Sequence, residues 1–252
     1  MKLLTLARDL RRRKSRERHQ LFVAEGARTV EELLRSPLDI RGALIGPQFD
    51  DNARSAAIVL DLERRAIPSE RVNERDFDSA AETESPQGIL AIGVVPARSL
   101  DDLSTSSPLL LLVLDGVQDP GNVGTIIRTA AALEASATLA LPGTVDLWNA
   151  KVVRSGMGSQ FHHPCLSITW DELDTFQAVR GVTMWAADAG GDPLGGVTRP
   201  ERLAVVVGNE GAGLSTSARE RASRVVSLPI GSAVDSLNVA VAAGILLYEL
   251  RR

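Results

Sequence analysis

The chain has 252 residues, 44% of them hydrophobic and 24% charged, an ordinary globular composition that excludes wholesale disorder and supplies enough apolar side chain for one large domain or two modest ones. A single cysteine, Cys165, and three histidines exclude an internal disulfide framework and every cysteine-rich zinc pattern, and no metal is expected. The net charge of −4 conceals an asymmetry: Met1 to Arg28 carries nine Lys/Arg against three Asp/Glu, net +6, leaving −10 for the other 224 residues.

In chain order, Leu3 to Arg18 reads as a basic helix, and Gln20 to Gly26 as a short strand closed by glycine. Ala27 to Arg35 repeats apolar residues at helical spacing, Ile40 to Ile45 is strand-like, Asn52 to Arg65 is helical, and Gly88 to Val95 is a β-rich run ended by Pro96. These elements form an α/β unit over residues 1–98. The polar run Ser99 to Pro108 lacks apolar periodicity and reads as a linker. A second domain, 109–252, begins with Leu109 to Leu114, a continuous aliphatic run of the kind found in strands buried on both faces. Similar runs recur at Thr138 to Leu141, Thr183 to Ala187, Leu203 to Val207 and Arg224 to Leu228, with helical stretches at Val123 to Leu133, Asp171 to Arg180, Ser215 to Ala222 and Leu237 to Leu250. Such alternation predicts an α/β fold with a largely parallel sheet, whose ligands sit in loops beyond the carboxyl ends of the strands. The basic N-terminus lacks the ~7–15-residue apolar stretch of a secretory signal, and the longest apolar run, Val239 to Tyr248, falls short of the ~18 residues of a membrane span. A cytoplasmic protein is expected.

Three loops hold the unusual residues. Asp115 to Gly124 contains Pro120 and glycines that force a tight turn, with Asn122 as a candidate cap for the next helix. On that helix Ile126, Ala130 and Leu133 share a face, and Arg128 points away from it, either as a solvated arginine or toward a ligand. Gly208 to Ser215 places three glycines at a strand-to-helix junction, in an order that is not the dinucleotide fingerprint, with Ser215 as a cap candidate. In the third loop, Pro229 to Ala240, Ser236 is a cap candidate. Asn238 falls inside an apolar helical run, where it makes either a structural hydrogen bond or a functional contact. The last helix is apolar nearly all round, as for one buried between layers or against a second subunit.

Taken together, Asn122-x-Gly124-x-x-x-Arg128-Thr129-Ala130, Gly208-Asn209-Glu210-Gly211-x-Gly213-Leu214-Ser215, and Leu228-Pro229-Ile230 with Ser236-Leu237-Asn238-Val239 resemble the three signature motifs of the SpoU/TrmH family of RNA ribose 2′-O-methyltransferases, of the SPOUT class. Phe22-Val23-Ala24-Glu25-Gly26 and Ser85-Pro86-Gln87-Gly88 resemble the substrate-binding domain that many members carry in front. The resemblance implies a deep trefoil knot in the C-terminal domain and an S-adenosylmethionine site at Gly208, Leu228, Ile230 and Leu237. It also implies a catalytic set of Asn122, Arg128, Glu210, Ser236 and Asn238, and a homodimer. Arg128 is left two roles, clamping a phosphate while steadying the developing alkoxide, or accepting the hydroxyl proton, which is demanding for a side chain that is normally a pure donor. The acceptor is RNA, ribosomal RNA favoured over transfer RNA, with a non-catalytic RNA-binding protein on the same scaffold as the alternative of another class. Arg8, Arg11, Arg12, Arg13, Lys14, Arg16 and Arg18 are candidates for phosphate contact. Arg154 lies in a stretch resembling the family's RNA-facing side. The pair His162-His163 has no carboxylate cluster beside it and makes a weak metal case.

Overall fold

The structure is a computed structural model that describes residues 2–49, 52–103, 108–195 and 197–251. In chain order it holds α1 (Leu3–Leu10), α2 (Arg13–His19), β1 (Leu21–Glu25), α3 (Ala27–Arg35), β2 (Ile40–Ile45), α4 (Ala53–Arg64), β3 (Ser69–Arg71), α5 (Glu74–Ala80), β4 (Ile89–Val94), β5 (Leu109–Asp115) and α6 (Pro120–Ala132). These are followed by β6 (Ala137–Ala140), α7 (Ala150–Ser155), β7 (Cys165–Ser167), α8 (Trp170–Arg180), β8 (Thr183–Pro193), β9 (Arg202–Gly208), α9 (Thr216–Arg221), β10 (Arg224–Ser227) and α10 (Val239–Leu250). The chain divides into two compact units, Met1–Ala97 with Trp148–His162, and Arg98–Leu147 with His163–Arg252.

The first unit is built on a four-stranded sheet of order β1-β4-β2-β3. β4 runs antiparallel to both β1 and β2, and β2 is parallel to β3. All five residues of β1 are buried, and Leu6, Leu10, Phe77, Leu90 and Ile92 pack into one core. Phe22 explains why the distant segment Trp148–His162 belongs here: its ring lies 4.6 Å from that of Trp148 and 5.4 Å from that of Phe161. Gly93 makes room for it, since a Cβ there would stand 2.4 Å from the Phe22 ring. Burying a phenylalanine fully stabilises by roughly 1.5–3 kcal/mol, so the aromatic cluster outweighs chain connectivity for this segment.

The expected helix Leu3 to Arg18 is two helices, because Arg12 is extended (φ −92°, ψ 130°). The buried Arg16 Nη1 donates to Leu10 O at 2.8 Å and Arg11 O at 3.0 Å, satisfying carbonyls that the end of α1 leaves open. Arg16, expected among the phosphate contacts, is therefore an internal cap. Within the expected linker, Leu100–Asp102 is a 3₁₀ turn closed by a reciprocal Ser99–Asp102 capping box, and residues 104–107 lie outside the described residues.

The second unit carries a six-stranded sheet of order β10-β8-β9-β5-β6-β7, with every pairing parallel. β5 is buried along all seven residues, which is why it reads as an unbroken aliphatic run. Leu111, Val113, Leu139, Phe176, Met184 and Val206 belong to the core on one side of it. A parallel sheet sends every strand's carboxyl end to one edge, and that edge gathers the three loops.

Candidate active site

β5 and β9 are neighbours, with Asp115 paired to Gly208, so the first two loops leave the sheet side by side. The first is tightened by Gly116 in the left-handed region (φ +73°). Thr144 Oγ1 accepts the Gly116 N–H at 3.1 Å and donates to Leu114 O at 2.9 Å. α6 starts at Pro120, and its cap is Asp119, whose Oδ1 accepts the Asn122 N–H at 2.7 Å. The expected cap, Asn122, is used elsewhere.

The second loop folds back on itself. Asn209 and Gly213 exchange backbone hydrogen bonds of 2.9 and 3.0 Å, Asn209 Oδ1 accepts the N–H groups of Gly211 and Ala212, and Asn209 Nδ2 donates to Gly116 O at 2.8 Å. A Cβ on Gly208 would stand 2.4 Å from the Gly213 backbone, so only glycine permits this closure. Ser215 caps α9 as expected, accepting from Ala218 N, and its own N–H donates to the buried Asp115 carboxylate at 2.7 Å.

In the third loop the cap of α10 is Asn238, in place of the expected Ser236. Asn238 Oδ1 accepts the N–H of Ala240 at 2.9 Å and of Val241 at 3.3 Å, and Nδ2 donates to Asn122 Oδ1 at 3.0 Å. Asn122 Nδ2 donates in turn to Glu210 Oε1 at 3.1 Å, and the Glu210 carboxylate also accepts the N–H groups of Gln118 (3.2 Å) and Asp119 (3.1 Å). The three loops are thus joined through Asn238, Asn122 and Glu210. Burial pulls the Glu210 pKa upward, but the hydrogen bonds from Asn122, Asp119 and Gln118 outweigh it, and the carboxyl ends below its ordinary value.

Arg128 is exposed and has no hydrogen bond or ion pair among the described residues. It lies six residues along α6 from Asn122, about 9 Å of helix rise, on the helix face it shares with Gly121.

Beside the joined loops is a cleft of about 430 Å³ lined by Gly208, Glu210, Ser236, Leu237 and Asn238 together with Asp188. It adjoins a smaller chamber of about 130 Å³ walled by Val226, Leu228, Ile230, Leu237 and Leu246. Gly208, Leu228, Ile230 and Leu237, the expected cofactor residues, all line one space or the other. The cleft is of a size usual for small-molecule sites. Among the described residues its ionisable lining is two carboxylates, Asp188 and Glu210, with no Lys, Arg or His, and the chamber's is Asp188 alone. An aliphatic chamber for a planar base beside an anionic cleft fits a cofactor that carries an aromatic base and a sulfonium cation. A separate cleft of about 470 Å³, lined by Arg98, Leu166, Phe176 and Arg180 among others, shares no residue with the three loops.

The cations expected to meet RNA lie in the first unit. Arg8 is held by Asp76 (2.7 Å) and Ser79, Arg11 donates to Ser79 O, Arg13 pairs with Glu17 (2.7 Å), and Arg18 reaches Asp9 at 3.4 Å. Arg12 stands 3.9 Å from Asp9 and remains 81% exposed, and Lys14 is exposed. Arg154 stands 3.8 Å from the buried Glu25 carboxylate. The two adjacent histidines have different partners: His162 Nε2 lies 2.8 Å from Glu32, and His163 Nε2 lies 2.9 Å from Thr138 Oγ1. Among the described residues no group of His, Cys, Asp or Glu could hold a metal ion, and no helix is long and apolar enough to cross a membrane.

Sequence reading assigned no role to Gln118, Asp119 and Asn209, which tie the first two loops together through the Glu210 carboxylate and the Asn209 amide, nor to Asp188. The signal for Asp188 was the run Ala187-Asp188-Ala189-Gly190-Gly191, a carboxylate followed by a glycine pair at the end of a strand.

Residues 109–248 match the family model described as the SpoU rRNA Methylase family, and residues 5–91 that of the MRM3-like substrate binding domain. Over 245 residues the chain is 37% identical to the 23S rRNA (guanosine(2553)-2′-O)-methyltransferase RlmP of Bacillus subtilis, covering 97% of this chain and 94% of that protein. It is similar to the crystal structure of AdoMet-bound rRNA methyltransferase from Sinorhizobium meliloti, with TM-score 0.85, 28% identity, and 99% and 94% of the two chains covered. It is likewise similar to that of the SpoU methyltransferase AviRb from Streptomyces viridochromogenes in complex with AdoMet, with TM-score 0.87, 26% identity, and 98% and 96% covered.

Proposed function

The chain belongs to the SpoU rRNA methylase family, and on that premise we propose that it methylates a ribose 2′-hydroxyl of ribosomal RNA, with S-adenosylmethionine as methyl donor. The observation that carries this reading is the hydrogen-bonded line from Asn238 through Asn122 to Glu210, which ties all three motif loops to the wall of one cleft.

When bound, S-adenosylmethionine supplies an electrophilic methyl carbon on a sulfonium. Gly208, Leu228, Ile230 and Leu237 hold the cofactor through backbone and aliphatic surface. Methyl transfer is an in-line displacement, so much of the rate comes from aiming the ribose oxygen. Asn122 and Asn238, each fixed by a second bond, have no freedom to turn away from that task, and Ser236 lines the same cleft. To Arg128, exposed and without an acidic partner among the described residues, we assign the binding of an RNA phosphate and the steadying of the negative charge that grows on the oxygen as its proton leaves. A guanidinium is ordinarily a pure hydrogen-bond donor, which favours this clamping role over that of proton acceptor.

The substrate-binding domain is residues 1–98 together with the segment Trp148–His162 that packs with them, the rest of 109–252 is the catalytic domain, and 99–108 joins the two. Arg12, 81% exposed, and the exposed Lys14 offer charge to the RNA backbone. Arg8, Arg11 and Arg13 add to it by exchanging exposed partners for phosphate, and Arg154 is a further contact. The chain works as a homodimer in the cytoplasm. Support for the dimer comes from α10, where Val241, Ile245 and Tyr248 are 51%, 41% and 41% exposed at i, i+4 and i+7 spacing, an apolar stripe that a second copy would cover. A trefoil knot is supported by the path of the chain end: α10 follows the edge strand β10 yet packs against α6 and β9.

The test is a map of 2′-O-methylation across ribosomal RNA from cells with and without the protein. Loss of one ribose mark is expected. Unchanged marks, with no S-adenosylmethionine binding by calorimetry, would overturn the reading in favour of a non-catalytic RNA-binding protein. In vitro, Arg128→Ala should reduce turnover by about 10³-fold or more with cofactor affinity unchanged, and retained turnover would remove it from the catalytic set.

A further inference from the structure

Asp188 reaches the ligand cleft through an irregularity of β8. The β8–β10 ladder pairs Val225 with Ala186 and the next residue, Val226, with Asp192, so residues 187–191 are extruded from the ladder. Bulges re-aim side chains and recur beside active sites. Gly191 lets the strand return: a Cβ there would stand 2.7 Å from the Val226 carbonyl carbon and 2.8 Å from Val225 O. Inside the bulge Asp188 Oδ1 accepts the Gly190 N–H at 3.1 Å, and Oδ2 accepts from Arg219 Nη2 of α9 at 2.6 Å. The Gly190 N–H, against partial burial and with help from Arg219, holds this carboxyl below its ordinary value, so it is ionised at neutral pH. Arg219 itself lines neither the cleft nor the chamber.

Two carboxylates give the site its ionic character, and they differ in what they border. Glu210 is committed to three donors of the first loop and lines the cleft alone, whereas Asp188 borders both spaces. We infer that Asp188 is the specificity-determining residue through which the pocket distinguishes a sulfonium cofactor from its neutral thioether product. The inference rests on the cofactor reading above. The aliphatic chamber suits the base, Glu210 with the Asn122 amide bonded to it marks the side of the cleft toward the first loop, where the ribose would arrive, and a sulfonium bridging the two spaces would sit at the boundary Asp188 occupies. Methyl transfer forms the C–O bond and breaks the S–C bond, the electron pair staying on sulfur and the hydroxyl proton passing to solvent. The positive charge facing Asp188 vanishes with the reaction. Attraction therefore favours the methyl donor over the spent cofactor and speeds product release.

The test is calorimetric titration of the full chain with S-adenosylmethionine, S-adenosylhomocysteine and sinefungin, in which an amine-bearing carbon restores a cation at the position of the sulfur. Asp188→Asn should weaken binding of the two cationic ligands by roughly 5- to 20-fold, the size of one screened charge pair, and that of S-adenosylhomocysteine by less than about 2-fold. Arg219→Gln, which unpairs Asp188, should move the ratio the opposite way, and it decides the matter if thermal melting shows Asp188→Asn to be unfolded. An equal loss for all three ligands would assign Asp188 to holding the bulge or the tail common to the ligands and would overturn the inference, as would an unchanged ratio in both variants. Wild-type protein that binds none of the three would instead overturn the cofactor reading, and this inference with it.

Discussion

Two loops, one in each unit, are held by the same device to different ends. In the first unit the Glu25 carboxylate, 2% exposed, accepts the N–H groups of Glu82 (2.9 Å) and Thr83 (3.3 Å) and the Thr83 hydroxyl. In the second, Glu210 accepts two loop N–H groups and the Asn122 amide, and it is exposed toward the cleft. A carboxylate that collects donors from a distant loop fixes that loop's path in either setting. Sealed, as at Glu25, it acts on folding alone. Open, as at Glu210, it holds functional side chains in place where a substrate can reach them.

The comparison breaks if the two pins behave alike on mutation. Glu210→Ala should lower turnover by about 10²–10³-fold through loss of Asn122 positioning, with little change in the thermal midpoint; steady-state kinetics beside a melt would check both. Glu25→Ala should do the reverse, costing about 3–5 kcal/mol by stranding loop donors and Arg154 while turnover per folded molecule at saturating RNA is kept, as read by urea denaturation and active-site titration.

Acid sharpens the contrast between the units. Burial, with the nearby charge of Arg98 adding to it, pushes the His163 imidazole of the second unit down to about 4. Above the unfolded value of about 6.5 its contribution to stability is complete. As pH falls from there toward 4, the unfolded chain takes up a proton that the folded unit refuses, so about 3 kcal/mol is lost. Glu82 of the first unit works oppositely, since burial raises its pKa and its contribution is lost as pH rises. Denaturation between pH 7 and 4 should show the loss, and His163→Gln should remove it. The smallest effect is expected at Gly244 of α10, where a Cβ would meet Thr129 Cγ2 of α6 at 3.3 Å. The helix-propensity gain of about 1 kcal/mol is opposed by that tight contact, so Gly244→Ala should shift stability by under about 0.5 kcal/mol, and Gly244→Ala with Thr129→Ser should be clearly more stable.

Much of the site was legible because its residues have few other reasons to be where they are. Gly208 cannot carry a Cβ, Ser215 caps the helix it precedes, and the aliphatic runs at β5 and β9 announce strands buried on both faces. The caps at Asp119 and Asn238 were misread because each stands within three residues of another good capping residue. Asn122 does not cap because its amide is occupied by Glu210 and Asn238, partners 88 and 116 positions away. The basic helix was misread for a related reason: charge density is visible in the sequence, but Asp76, Ser79, Glu17 and the carbonyls at the end of α1 hold several of those arginines.

By itself, then, the sequence determined the α/β class, eight of the ten described strands and the residue types of the three loops, because burial periodicity and glycine or asparagine stereochemistry act over a few residues, while the three-residue strands β3 and β7 are too short to show a period. Only the tertiary structure decided that Trp148–His162 joins the first unit, that Asp119 and Asn238 are the caps, and that a bulge carries Asp188 to the cleft. Those outcomes depend on which partner a side chain finds far along the chain. Aromatic packing, a hydrogen-bond donor's choice among acceptors and a slip in strand register are settled by competition in space, and local pattern carries no record of the competitors.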